Sequence, residues 1–431
     1  IYAQRFDASG NKVEQIQTYT ITENDVNPEF QINTHVTGSQ SAPSIASLSS
    51  GGFVVTWQSY GQDGDDNGIY GQRYDSSGAA SGGEFRVNTV IASSQGDPSV
   101  ASLSDGGFVV TWESRDQDSD NNGIYGQRYD GSGAASGSEF LVNTVTASGQ
   151  SNPSVTSLSD GGFVVTWDSF KSIVGYDIYS QRYDSAGTAT GNEFLVNTET
   201  SNGQESSSVA SLIDGGFVVT WSSYNQDGGD FGVYGQRYDS VSNVSGSEFK
   251  VNSHTENYQN TPSVTSLSGG GFVVAWESRE QDGNGVGIYG QRYDSAGTAS
   301  GVEFKINTYT VNSQSSAFIT GLADGGFVVT WQSYGQDGDN AGIYGQRFDS
   351  SGNNVGSEVQ INTYTDGPQT APSVASLSDG GFIVAWEDGG YVNEPGEMMP
   401  VMIDGQDGNG IGIYAQRFDA SGNKVEQIQN P

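Results

Sequence analysis

The sequence predicts an all-β fold, a seven-bladed β-propeller with four antiparallel strands and about 55 residues in each blade. Three observations predict it. The segment GGFVVTW and close variants occur seven times, ending at Trp57, Trp112, Trp167, Trp221, Trp276, Trp331 and Trp386, which are all the tryptophans of the chain. Their spacing is 54 or 55 residues throughout, and such a period, holding several short strands, is that of a propeller blade. Within each unit the apolar residues alternate, and both faces of the GGFVVTW segment are apolar, as in a sheet covered on both sides.

The elements of one unit follow in order. Pro43 to Leu48 is expected as the first strand, with the proline at its start, where no ladder bond is lost. A Gly-rich turn follows, Ser104 to Gly107 in the second unit, and its Asp-Gly pair suits a tight hairpin. The second strand is Phe53 to Trp57, the third Ile69 to Asp75 and the fourth Glu84 to Asn88, before a polar linker. A lone four-stranded sheet with two apolar faces is unsatisfied in water, and closing seven of them into a ring covers every face. The repeated arginines, Arg73, Arg128, Arg182, Arg237, Arg292, Arg347 and Arg417, are expected to pair with a repeated Asp or with carbonyls between blades.

The third-strand motif occurs an eighth time at Ile1 to Asp7, and residues Ile1 to Gln17 are identical to Ile413 to Gln429. Residues 1–34 therefore read as surplus N-terminal strands that link or close the ring, and 35–431 as the propeller. Two explanations stand side by side: a tandem string of near-identical propellers, or ring closure and strand donation, with Glu29 to Asn33 as outer strand of the seventh blade.

The chain has 431 residues, no cysteine, two histidines and a net charge of −35. That charge excludes nucleic acid as a partner, because phosphate binding needs clustered Lys and Arg. No run of 18 apolar residues is present, so no membrane-inserting helix is expected. With no Cys and only His35 and His254, a histidine-rich zinc site and a cysteine nucleophile are also excluded.

Between the second and third strands lies an Asp/Asn/Gly loop. Asp63, Asp65 and Asn67, and again Asp118, Asp120 and Asn122, fit D-x-D-x-N-G, the opening half of a calcium loop, without its terminal Glu. Weaker copies are Asp282 with Asn284, Asp337 with Asp339, and Asp407 with Asn409. Calcium is the expected cofactor, against the alternative of a hairpin chosen for backbone freedom. In the third blade Lys171 to Tyr176 replaces the loop and is expected to bind no metal. Tyr60, Arg115, Tyr224, Arg279 and Tyr334, three residues after their tryptophans, form a second set, suited to stack on sugars or meet a protein partner. The seventh blade alone carries an insertion, 388–403, with Tyr391, Met398, Met399 and Met402; it reads either as an adaptable partner surface or as a plug over the channel mouth.

The strings SLSDGGFVVTW, QDG…NGIYGQRYD and EFxVNT resemble the propeller-type repeats of large secreted bacterial calcium-associated surface proteins, those that also contain RTX or cadherin-like modules. The RTX nonapeptide itself is absent. The resemblance implies an extracellular or cell-surface setting and an adhesive or scaffold role. The expectation is therefore a non-enzymatic structural or adhesive module, one unit of a tandem or self-assembling surface protein, with neighbouring propeller units or surface glycans as partners. The alternative is a carbohydrate-binding, lectin-like propeller. A glycoside hydrolase ranks below both, because acids recur in nearly every blade and no blade shows a distinctive acid pair beside aromatics, unless Glu387, Asp388, Glu394 and Glu397 form one.

Overall fold

Each GGFVVTW segment forms the second strand of a four-stranded antiparallel sheet, and seven such sheets follow one another around a ring. The computed structural model describes residues 29–118, 120–172, 175–392 and 400–426. Blade 1 consists of Gln40–Ser47, Phe53–Tyr60, Asn67–Tyr74 and Phe85–Arg86, numbered from the channel outwards, and the next five blades repeat this order. All described elements are strands. Among the described residues no helix is long and apolar enough to cross a membrane.

The core lies between blades rather than within them. Trp112 of blade 2, fully buried, packs with Ala46, Leu48, Val54 and Ile69 of blade 1, and seven such clusters each join two consecutive blades. Two apolar faces per strand are thus both used. The turn before each second strand needs both glycines. Gly51 sits at φ 90°, and a Cβ on Gly52 would lie 2.0 Å from the Tyr74 carbonyl oxygen.

The inner and outer strands differ from expectation, and the second runs on to Tyr60. The inner strand starts at Gln40, three residues before Pro43, and bulges between Ser41 and Ser44, with Ala42 at φ 53°. The proline lies in that bulge, where its missing N–H is not needed. The outer strand is only Phe85–Arg86, because the Asn88 side chain takes over from the backbone: its Oδ1 accepts the Ile69 N–H at 2.8 Å.

The remaining letters of the repeat join blades. Glu84 accepts the N–H and hydroxyl of Thr34, in the preceding linker, at 2.7 and 2.9 Å. Arg128 donates to the Ser185 carbonyl of blade 3 and pairs with Asp105 at 3.2 Å. Blades 1 and 5 have Ser50 and Gly269 in place of that aspartate, and there Arg73 and Arg292 each turn to two carbonyls of the next blade.

The ring is closed in blade 7, whose first three strands are Gln369–Ser376, Phe382–Asp388 and Gly412–Phe418. Its outer strand comes from two distant places. Phe30–Gln31 pairs with the upper half of Gly412–Phe418, Phe30 opposite Ala415, and Lys424–Val425 pairs with the lower half. Glu29 to Asn33 thus takes the closing position its sequence suggests. The surplus copy of the third strand lies in residues 1–28, outside the described residues.

Candidate functional site

The second strand of each blade ends on the face that carries the second-to-third-strand loops and the interblade linkers, here called the upper rim. The residue after each tryptophan is polar: Gln58, Glu113, Asp168, Ser222, Glu277, Gln332 and Glu387. It stands beside the channel, where the bulged inner strands leave backbone N–H groups unpaired. In six blades this side chain satisfies the bulge of the next blade. Gln58 accepts from Asp97 N–H at 3.1 Å, Asp168 from Ser206 at 2.8 Å, Ser222 from Thr261 at 3.0 Å, Glu277 from Ser316 at 2.7 Å, Gln332 from Ala371 at 3.1 Å and Glu387 from Ala42 at 2.7 Å. The carboxyls of this ring hold their protons more tightly than free ones. Burial is the main cause, pushing Asp168 up to about 7 and Glu277 to about 6, and raising Glu387 as well.

Glu113 is the exception. Its Oε2 is buried and has no hydrogen-bond donor among the described residues, and the carboxyl is flanked by that of Asp97, which raises its pKa, and by the Asn122 side chain, which lowers it. Burial first, and then the Asp97 charge, push Glu113 up to about 8. Two carboxyls at hydrogen-bonding range need a proton between them, and with no donor on Oε2 the pair is satisfied by keeping it. The Asn152 side chain, which belongs to the next bulge, is turned instead to Asp168 Oδ2 at 2.8 Å.

Glu113 lies on a groove of about 590 Å³ between blades 2 and 3. Arg115, Asn121 and Asn122 line it from blade 2, and Phe170 and Tyr176 form a wall from blade 3, their rings 5.3 Å apart and nearly perpendicular. This wall exists because blade 3 lacks the Asp/Asn/Gly loop: its second strand extends over Phe163–Ser172 and pairs Phe170 with Tyr176. Glycine at the matching third-strand position, Gly68 or Gly123, gives room to the loop aspartate; in blade 3 that position is Asp177, which pairs with Lys171 at 3.2 Å.

The expected metal ligands are placed as follows. Asp63 Oδ1 accepts the N–H of Asp65 at 3.3 Å, while Asp65 Oδ2 reaches the linker N–H of Ser93 at 3.1 Å. Asp118 and Asp120 repeat this with Ser148, and Asp337 and Asp339 with Gly367. Asp282 and Asp407 cap Asn284 and Asn409, and Asp407 also accepts Gln31 Nε2 at 2.9 Å. Asn67 bonds Ser94, and Asn122 faces the groove. Among the described residues no group of three or more Asp, Glu or His is gathered as a metal site.

Of the rim set, Arg115 lines the groove, and Tyr60, Tyr224, Arg279 and Tyr334 are exposed on other blades. They are strand residues rather than loop residues, since the second strands run three positions past tryptophan. In the insertion, Gly390–Val392 pairs with Val401–Ile403, Tyr391 opposite Met402, and Ile403 rests on Gly367 of the blade 6–7 linker. Met398 and Met399 lie outside the described residues, as do Glu394 and Glu397.

No family model and no curated protein sequence matches the chain. Among solved structures, a protein of unknown function from Dyadobacter fermentans aligns over 90% of this chain and 97% of its own, with a TM-score of 0.51 and 12% identity. An α-L-arabinanase of Penicillium chrysogenum aligns over 75% of this chain and 92% of its own (TM-score 0.48, 16% identity). A GH93 α-L-arabinofuranosidase of Fusarium graminearum aligns over 74% and 97% (TM-score 0.48, 12% identity). The likeness shows the propeller fold. The expectation of a non-enzymatic adhesive module is corrected at this point. The two enzymes just named are glycoside hydrolases, and neither is an adhesin. The ground for setting catalysis aside is also gone, since among the described residues Glu113 and Asp97 of blade 2 form a hydrogen-bonded acid pair at the groove walled by Phe170 and Tyr176.

Proposed function

We propose that this chain is a glycoside hydrolase whose substrate lies in the groove between blades 2 and 3, with Glu113 as proton donor. The observation that carries the reading is the Glu113 carboxyl, set against the Asp97 carboxyl with no donor on its buried Oε2, on an open groove with an aromatic wall. Cleaving a glycosidic bond at neutral pH needs an acid that is still protonated there, and burial together with Asp97 supplies one. Phe170 and Tyr176 offer ring faces and edges to the apolar faces of a sugar, while Asn121 and Asn122 offer amides to its hydroxyls. Hydrogen-bonded carboxyls stand closer than the roughly 5 Å of a double-displacement pair, so Asp97 acts by keeping Glu113 protonated and not as nucleophile. In the step itself, the Glu113 proton passes to the leaving oxygen as its bond to the anomeric carbon breaks. Water adds to that carbon, and the proton it releases restores Glu113.

Glu113→Gln tests the reading. The variant should bind oligosaccharides like the parent and release reducing ends at least a hundredfold more slowly, the ordinary worth of a general acid. Equal rates in both proteins would overturn the assignment of Glu113. Binding by both with turnover by neither would make the groove a carbohydrate-binding site only.

A further inference from the structure

Three departures from the repeat fall on adjacent blades. The acid pair is in blade 2, the Phe170–Tyr176 wall is in blade 3, and blade 4 carries another aromatic pair at the same register: Tyr224 faces Phe231 across the second and third strands, rings 5.2 Å apart at 61°. The matching partners in blades 1, 2, 5 and 6 are Asn67, Asn122, Val286 and Ala341, so only blades 3 and 4 set ring against ring. Tyr224 is 44% exposed although its ring meets that of Phe231 edge to face. Further along the same rim, Arg279 of blade 5 lies over the Tyr258 ring at 5.7 Å.

The charges beside this path are already matched. Arg115 pairs with Asp116 at 3.6 Å, Lys171 with Asp177 at 3.2 Å and Arg279 with Glu280 at 3.8 Å. Asp116 and Glu280 hold φ near 59° and 57° to do so, at a position where blades 1 and 6 use Gly61 and Gly335. A side chain in that left-handed region costs on the order of 1 kcal/mol. The chain has thus given up its favoured residue to set an acid beside each rim arginine. Among the described residues each of these cations has an acid beside it, as does Lys250 of blade 4, and an anionic sugar would approach a chain of net charge −35.

We infer that the substrate is a neutral, polymeric glycan, running from the Glu113 groove along the upper rim over blade 4, with Tyr224 and Phe231 as a second stacking platform. This inference rests on the proposed reading of the groove. Its test uses the full chain carrying Glu113→Gln and, by titration calorimetry, size series of xylan, arabinan and linear β-glucan fragments from disaccharide to polymer. Affinity for one series should rise with length, and Tyr224→Ala with Phe231→Ala should remove about tenfold of that gain while leaving the shortest bound fragment unaffected. Tyr224→Phe, which keeps the ring, should restore it, and an unchanged melting curve excludes a folding defect. If the double variant binds long fragments as the parent does, the blade 4 platform is wrong and the groove reading stands. Tighter binding of uronic-acid or sulfated polymers than of neutral ones overturns the substrate class. If no fragment of any length binds, groove and track fail together.

Discussion

Replacing Glu113 by Gln should make the protein more stable at alkaline pH while leaving it unchanged in mild acid. The folded chain holds the Glu113 proton up to about 8, whereas an exposed glutamate releases it near 4.5. Between those values the native state binds one proton more than the unfolded state, so stability is complete below the window and is lost as the pH rises through it. Each pH unit of such a difference is worth ~1.4 kcal/mol, which sets an upper bound of ~5 kcal/mol. The carboxyl is only partly buried and shares its proton with Asp97, so roughly 2 kcal/mol is the expected loss between pH 5 and pH 8.5. Glutamine has no proton to lose and keeps the shape of the acid form. Urea denaturation of both proteins at half-unit steps would show the two stability curves together near pH 5 and separated by ~2 kcal/mol near pH 8.5, the variant above. Asp168, Glu277 and Asp388 also hold protons above their usual range, chiefly through burial, and they slope both curves equally. Parallel curves would refute the reasoning, because Glu113 would then be an ordinary ionised carboxylate and no proton donor.

Two further outcomes follow from the way the blades are joined. Phe30→Ala should cost ~3–5 kcal/mol, as for a buried core ring, because Phe30 is 5% exposed and meets Tyr74 of blade 1 edge-on at 5.7 Å; an unchanged denaturation midpoint would show that another segment closes blade 7. Asp65→Ala, measured in a chelator, should lose ~0.5–1 kcal/mol through the tie to the Ser93 N–H alone. No loss in the same melts would mean that the loop and linker are not joined there.

Much of the fold was legible because each letter of the repeat meets one requirement, repeated seven times. The alternation in GGFVVTW marks two covered faces, and the Asn of EFxVNT marks the end of the outer strand. The bulge was not legible, since a proline reads equally well at a strand start or inside a bulge, and only the register of Gln40–Ser47 against Phe53–Tyr60 decides. The site was half legible. Arg115 and the aromatic rim stand out as residues that vary where their neighbours repeat. Glu113 did not stand out, since a polar residue after tryptophan serves as a backbone acceptor in the other blades and its failure to do so in blade 2 shows only in the hydrogen bonds of the folded chain. The signal was present nonetheless: every one of those seven positions carries a hydrogen-bonding side chain directly after a fully buried strand.

The two-part outer strand of blade 7 bears on the order in which the molecule takes shape. Blades 1 to 6 each consist of residues close in sequence, and such hairpins form early and cheaply. The last blade instead joins groups as far apart as Asn33, whose side chain accepts the Ile413 N–H, 380 positions away. As the polypeptide elongates, the apolar side of Phe30 and Ile32 stays uncovered until that strand has emerged, with blade 1 open on one flank for the same time. The closing contact is therefore a kinetic latch, and the slowest step of assembly is expected at the seam and not in the repeats.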